Sequence, residues 1–137
     1  MKRLLLGLTL ALMAGLNTAF AEEPANPAIE GTIRDQLDAF LADDFAAAFT
    51  FAAPFIQGIF GTPDNFGAMV KNGYPMVWRP GAVKFLDLRA VADGLYQKVA
   101  ITDQAGVVHV LEYQMIPAGD GWQIGGVQLL ETAEIGV

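Results

Sequence analysis

His109 is the only histidine in the 137-residue chain. Histidine is the side chain whose unperturbed proton equilibrium lies near neutral pH, so it is the first place to look for acid–base work. His109 sits in "VVHVLEYQMI" (107–116), where a period of two places Val107, His109, Leu111, Tyr113 and Met115 on one strand face. That face is mostly apolar and points His109 inward. It is read either as a satisfied rim histidine or as a general base and ligand hydrogen-bonder, with Tyr113 on its side. Glu112 falls on the other face and is not its partner. A second group stands in "YPMVWRP": Tyr74, Trp78 and Arg79. These residues could plug the end of a core, with Arg79 paired to a local acid. They could equally line an aromatic mouth with one cation for an anionic small molecule.

Other chemistries are absent by residue type. The chain has no cysteine and no serine, so disulfides, thiolate metal sites and a serine nucleophile are excluded. The threonines show no evident base in the sequence. One histidine with scattered acids gives no metal-ligand spacing, and adjacent Asp43 and Asp44 do not converge on one point of a helix. The glycines between Gly61 and Gly81 lack the leading strand and terminal lysine of a phosphate loop. No cofactor is expected. The phenylalanines from Phe40 to Phe66 recur at near-helical spacing and read as core.

The elements that must position these residues divide the chain in two. Ile33, Leu37, Phe40 and Leu41 fall three and four apart, with Arg34, Asp35 and Asp38 on the other side, which predicts an amphipathic helix from Ile29. Asp43 or Asp44 reads as the N-cap of a second helix over 45–53, which Pro54 ends. A single irregular or 3₁₀ turn is expected over 54–61. Thr62, Pro63 and Asp64 open a third helix as N-cap, N1 residue and dipole complement, and Gly73 stops it as C′. The Tyr74-Pro75 and Arg79-Pro80 steps predict extended backbone. From Ala82 the period becomes two, giving strands over 82–91, 95–102, 107–116 and 122–131. The turns between them are short and rich in aspartate and glycine, which permits only antiparallel neighbours. Gly125-Gly126 predicts a bulge in the last strand. The fold class is therefore α+β: helices packed in the concave face of a curved four-stranded antiparallel sheet, a cone whose open end is a pocket.

The first 21 residues read as a signal peptide: Lys2-Arg3, a short apolar run, then "AFA" before a cut after Ala21. The apolar run, Leu4 to Leu16, is too short for the ~20 residues of a membrane span, so no stable membrane insertion is expected after cleavage. The route expected is the general secretory one, to the periplasm or beyond. Residues 22–28 read as a flexible leader and 29–137 as one domain. Without Lys2 and Arg3 the chain carries 6 basic against 15 acidic residues, net −9. That balance excludes nucleic acid as a partner and disfavours an anionic membrane. Seven of the acids lie between Glu22 and Asp44, either as a solvated face or as a docking face for a basic protein.

The stretch "QLDAFLADDFAAAFTFAAPFIQGIFGTPDNFGAMVKNGYPMVWRP", followed by strands ending in "GWQIGGVQLL", closely resembles the bacterial domain of unknown function 4864 family. The likeness covers about 29–130, with 60–80 the most specific part. More loosely, the helix–aspartate–helix opening and the closing "GW" strand look like the NTF2-like or SnoaL-like (cystatin-like cone) superfamily. That likeness implies a cone. Enzymes of that superfamily commonly place an Asp–His pair inside it, and no such pair matches defined positions here. The expected function is a periplasmic small-ligand-binding or protein-interaction module without catalysis, homodimeric through its sheet. Its ligand would be a small apolar or anionic molecule met by Tyr74, Trp78, Arg79, His109 and Tyr113. The alternative is an isomerase- or dehydratase-type enzyme with His109 as base.

Overall fold

A computed structural model describes residues 20–92 and 94–134. The chain runs β1 (Phe20–Glu23), α1 (Pro27–Leu41), α2 (Phe45–Thr50), α3 (Pro54–Phe60), α4 (Pro63–Gly73) and α5 (Pro75–Trp78). It continues through β2 (Pro80–Val91), β3 (Gly94–Asp103), β4 (Val107–Ala118) and β5 (Gly121–Glu134). The fold is α+β. The sheet is open and antiparallel, with strand order β1-β2-β3-β4-β5. Five strands replace the expected four. The added strand lies in a segment too short to show periodicity, and pairing with β2 makes it a strand, with Glu22 opposite Arg89 and Glu23 opposite Leu88. Most of the expected signal peptide lies outside the described residues, but Phe20 and Ala21 belong to β1.

Capping chemistry sets the helix limits. The Asn26 side chain accepts from the Ala28 and Ile29 N–H groups, and Pro27 at the first position costs no hydrogen bond, so α1 begins two residues before the apolar period does. Asp44 caps α2 by accepting from Ala47 N–H, and Thr62 caps α4 by accepting from Asn65 N–H. Pro54 does more than end α2. It is the N1 residue of α3, a two-turn α-helix where a single turn was expected, and Gly61 at φ 79° stops it. Gly73 is the last helical residue of α4 and not its C′ residue; Tyr74 takes the cap with its N–H on the Val70 carbonyl. Pro75 then opens α5 in place of the expected extended segment.

The core lies between the helices and one face of the sheet. Ile29, Ile33, Leu37 and Phe40 of α1 pack with Leu88, Val99, Ile101, Leu111, Tyr113, Met115 and Ile124. Leu41 is not in that stripe and is 44% exposed. The buried ridge runs through Gln36 instead, whose Nε2 donates to the Ala48 carbonyl and ties α1 to α2. The expected bulge in β5 is present. Register passes from Gln114↔Gly126 to Met115↔Ile124, leaving Gly125 unpaired. A Cβ on Gly125 would overlap the Ile116 side chain, which must move to admit any larger residue. A second shift leaves Leu130 unpaired, and a third sets Leu86 and Asp87 outside the β2–β3 register. The Gln97 amide donates to the Leu86 carbonyl at 3.0 Å and so fills that irregularity.

Candidate functional site

A cavity of about 340 Å³ opens between the helical layer and β5. The α1 residues Gln36 and Phe40 form one wall, and Phe66, Met69 and Val70 of α4 form another. Ile56, Ile59 and Phe60 of α3 cover it, and Ile124, Gly126 and Val127 of β5 close it below. No residue of α3 is buried. Ile59 lines the cavity while 68% exposed, so the cavity reaches solvent along α3. The sequence favours this layout. Thr62 and Pro63 start a new helix directly after Gly61, so α3 and α4 meet at a sharp corner with their apolar residues toward the same space. Phe66 sits at that corner, its ring 5.8 Å from those of Phe40 and Phe60 and 5.4 Å from that of Phe49. Ala52 and Ala53 then pair with the outer edge of β5: Ala53 N–H donates to the Ile124 carbonyl and Ile124 N–H to the Phe51 carbonyl, both at 2.8 Å.

The five residues singled out in the sequence do not form one group. Tyr74 lines the cavity, and its hydroxyl donates to the Val127 carbonyl at 3.2 Å. Trp78 and Arg79 face away from it, toward the α1–α2 corner. There the Arg79 Nη2 meets both oxygens of Asp43 at 3.0 and 2.9 Å, and its Nη1 donates to the Phe40 carbonyl. Trp78 Nε1 donates to Asp43 at 2.9 Å, and the guanidinium lies 3.9 Å from the Trp78 ring centre. Asp43 itself adopts φ 54°, a conformation aspartate tolerates better than most residues. The bonds from Arg79 and then Trp78 hold its carboxyl below the usual carboxylate range. This cluster locks the corner and matches the reading in which Arg79 pairs with a local acid.

His109 does face inward on β4, beside Leu111, and is largely buried. It does not line the cavity. Its Nε2 lies 2.9 Å from Asp103 and its Nδ1 3.0 Å from the Thr132 hydroxyl, so both ring nitrogens are taken. Asp103 also accepts from the Ala105 and Val107 N–H groups. The bond from His109, aided by that from Val107, holds the Asp103 carboxyl below its ordinary value. This Asp–His–Thr chain ties the β3–β4 turn to β5. Tyr113 is fully buried, and its hydroxyl has no partner among the described residues. Burial pushes that phenol up. Among the described residues no cluster of acids and histidine has the geometry to hold a metal.

Three features escaped the sequence. Gln36 reads as polar surface and is buried at the cavity wall. Arg89 and Glu112 form a bidentate pair at 2.7 and 2.8 Å on the outer sheet face, although they stand 23 residues apart. Asp103 and Thr132 reach His109 only through the turn and the β4–β5 register. Asp103 directly precedes the turn before His109, which was the one available signal.

A family model described as "Domain of unknown function (DUF4864)" matches residues 22–137. The chain belongs to this family. Neither the curated proteins nor the solved structures give a significant match. The family assignment brings no reaction with it, so function has to be argued from the cavity.

Proposed function

We propose that this DUF4864 chain is an exported module that holds a small apolar molecule in the cavity beneath α3. One observation carries the reading: about 340 Å³ of space is bounded by aliphatic and aromatic side chains, with Gln36 and Tyr74 the polar side chains in its wall. Binding sites are typically hollows of this kind, with few polar groups to orient the ligand. An apolar cavity of about 150 Å³ takes up one benzene. This one is roughly twice as large and suits a two-ring or medium-length hydrocarbon. The cover helix has no buried residue of its own: Ile56 and Phe60 pack on the core, Gln57 Nε2 donates to the Phe49 and Ala52 carbonyls, and the 68% exposed Ile59 marks the side on which a ligand would enter. Export is supported by the basic start, the short apolar run and the "AFA" ending of residues 1–21; the family match begins at Glu22. The looser likeness to NTF2-like cones is supported by helices on one face of a bulged sheet.

The test is calorimetric titration with naphthalene of the refolded chain and of Ile56→Trp, which fills the cavity. The expected result is saturable one-to-one binding by the parent chain and none by the folded variant. Equal binding by both, or by neither, refutes the site. Native mass spectrometry of the exported protein then identifies any molecule it carries. A second reading, an isomerase- or dehydratase-type enzyme with His109 as base, has Asp103 at 2.9 Å to orient the ring but needs His109 to give up one of its two partners and to meet a substrate outside the cavity. It requires turnover of a small carbonyl or hydroxy compound that is lost in His109→Ala while naphthalene binding is kept.

A further inference from the structure

The apolar cavity shares part of its β5 wall with another hollow. Gly126 and Val127 line it, and the same two residues line a second hollow of about 200 Å³. That hollow lies among Tyr96, Glu112, Gln114 and Gln128. Register puts these four side chains together on the face of the sheet away from the helices: Tyr96 is opposite Gln114, Glu112 is opposite Gln128, and Tyr113 between them points into the core. β5 is the last strand, so its outer edge is the boundary between the two hollows. The bridge from Ala52 covers that edge at Ile124. Two residues further on, between that bridge and the Tyr74 hydroxyl on the Val127 carbonyl, Gly126 has no side chain to block the edge.

The two hollows differ in chemistry. The first is apolar. The second offers a phenol, a carboxylate and two primary amides. Glu112 is 7% exposed, and Arg89 holds both its oxygens, so its charge is matched where it lies. Among the described residues the Tyr96 hydroxyl and the Gln114 and Gln128 amides make no hydrogen bond. Each amide supplies donors and an acceptor, which suits hydroxyl groups. An anionic head would meet the Glu112 carboxylate, and a cationic one would meet Arg89 already in the pair.

We propose that the two hollows form one site for a single-chain amphiphile with a neutral, hydroxyl-bearing head. The alkyl chain occupies the cavity, and the head crosses Gly126 to lie among Tyr96, Gln114 and Gln128. The inference rests on the cavity being a ligand site, and the test separates the two. n-Octyl β-D-glucoside, octanoate and octyltrimethylammonium are titrated calorimetrically below their micelle concentrations, with naphthalene as a probe of the cavity alone. The glucoside is expected to bind at least about tenfold tighter than either charged amphiphile, which corresponds to about 1.4 kcal/mol.

Two variants complete the test. A Cβ on Gly126 would meet only the Gln114 Oε1, at 3.5 Å, so Gly126→Val fits the strand and projects into the second hollow. It should weaken the glucoside about tenfold. The double variant Gln114→Ala, Gln128→Ala, whose residues lie outside the cavity wall, should weaken the glucoside as much and leave naphthalene unchanged. Equal affinity for the three head groups, or a glucoside affinity indifferent to the double variant, overturns the bridged site. If naphthalene still binds, the cavity reading survives that result. If no probe binds, both readings fall.

Discussion

Replacing Tyr113 by phenylalanine should stabilise this protein, the reverse of the usual outcome for a buried tyrosine. The ring is packed between Leu111 and Met115 along β4 and lies opposite Gln97 and Val127, and it is 0% exposed. Its hydroxyl has no hydrogen-bond partner among the described residues. Leaving such a group buried and unpaired costs about 1–3 kcal/mol, whereas a normal hydrogen-bonded hydroxyl contributes about 1 kcal/mol. At the low end of that range, Tyr113→Phe gains about 1 kcal/mol, which raises the melting midpoint by about 4 °C in a domain of this size. The assay is thermal unfolding followed by circular dichroism at pH 7, on protein unfolded and refolded to strip any ligand.

Tyr74→Phe is the control of opposite sign. It loses the bond to the Val127 carbonyl and should cost about 1 kcal/mol. A second readout comes from alkaline pH. Burial raises the phenol of Tyr113 above its unfolded value, so its neutral form is favoured in the fold. The associated stability is complete below the unfolded value near 10 and is lost as pH rises from there toward the folded one. Tyr113→Phe should therefore lose less stability above pH 10 than the parent chain. A melting midpoint lowered by several degrees in Tyr113→Phe would refute this reasoning. It would mean that a buried water, or a ligand retained through refolding, satisfies the hydroxyl.

Three further outcomes are expected. Gly125→Ala must displace Ile116 and should cost about 1–3 kcal/mol in chemical denaturation, while Gly126→Ala stays within about 0.5 kcal/mol; equal effects would place the bulge elsewhere. Asp43 and Asp103 both have lowered carboxyl values, so each stabilises the fold above the unfolded value of about 3.9, and this is lost as pH falls through the folded value. Asp43→Asn and Asp103→Asn should each flatten the fall in melting midpoint between pH 5 and pH 3, in melts of the three proteins run side by side. N-terminal sequencing of the protein purified from its own host should begin at Glu22, and a start at Met1 would remove the signal-peptide reading.

Local chemistry was readable wherever a single side chain meets its own backbone. The caps at Asp44 and Thr62 are examples, as is Pro63 at its N1 position. The four main strands show the same, since period-two patterning survives any tertiary arrangement. Errors arose where one residue type serves two local structures. Pro54 reads as a stop and Tyr74-Pro75 as an extended step, yet both prolines open helices, because proline fits N1 as well as it ends a preceding helix. Leu41 was placed on the buried stripe, but one residue past Phe40 the helix turns about 100° and carries it to solvent.

The sequence by itself determined the class, the helices α1, α2 and α4, the four main strands, a bulge at Gly125-Gly126 and the absence of thiol and serine chemistry. Each follows from residue type or short-range spacing. Only the tertiary structure decided which residues stand together. Pairing across β4 and β5 delivers Thr132 to His109, and pairing across β2, β3 and β4 delivers Arg89 to Glu112. The β2–β3 and β4–β5 registers each include a bulge or irregularity, and a slip of one residue turns every side chain beyond it to the other face. The cavity is further still from the sequence. It exists because the α3–α4 corner leaves space above Gly126, and unfilled space between elements has no residue of its own to announce it.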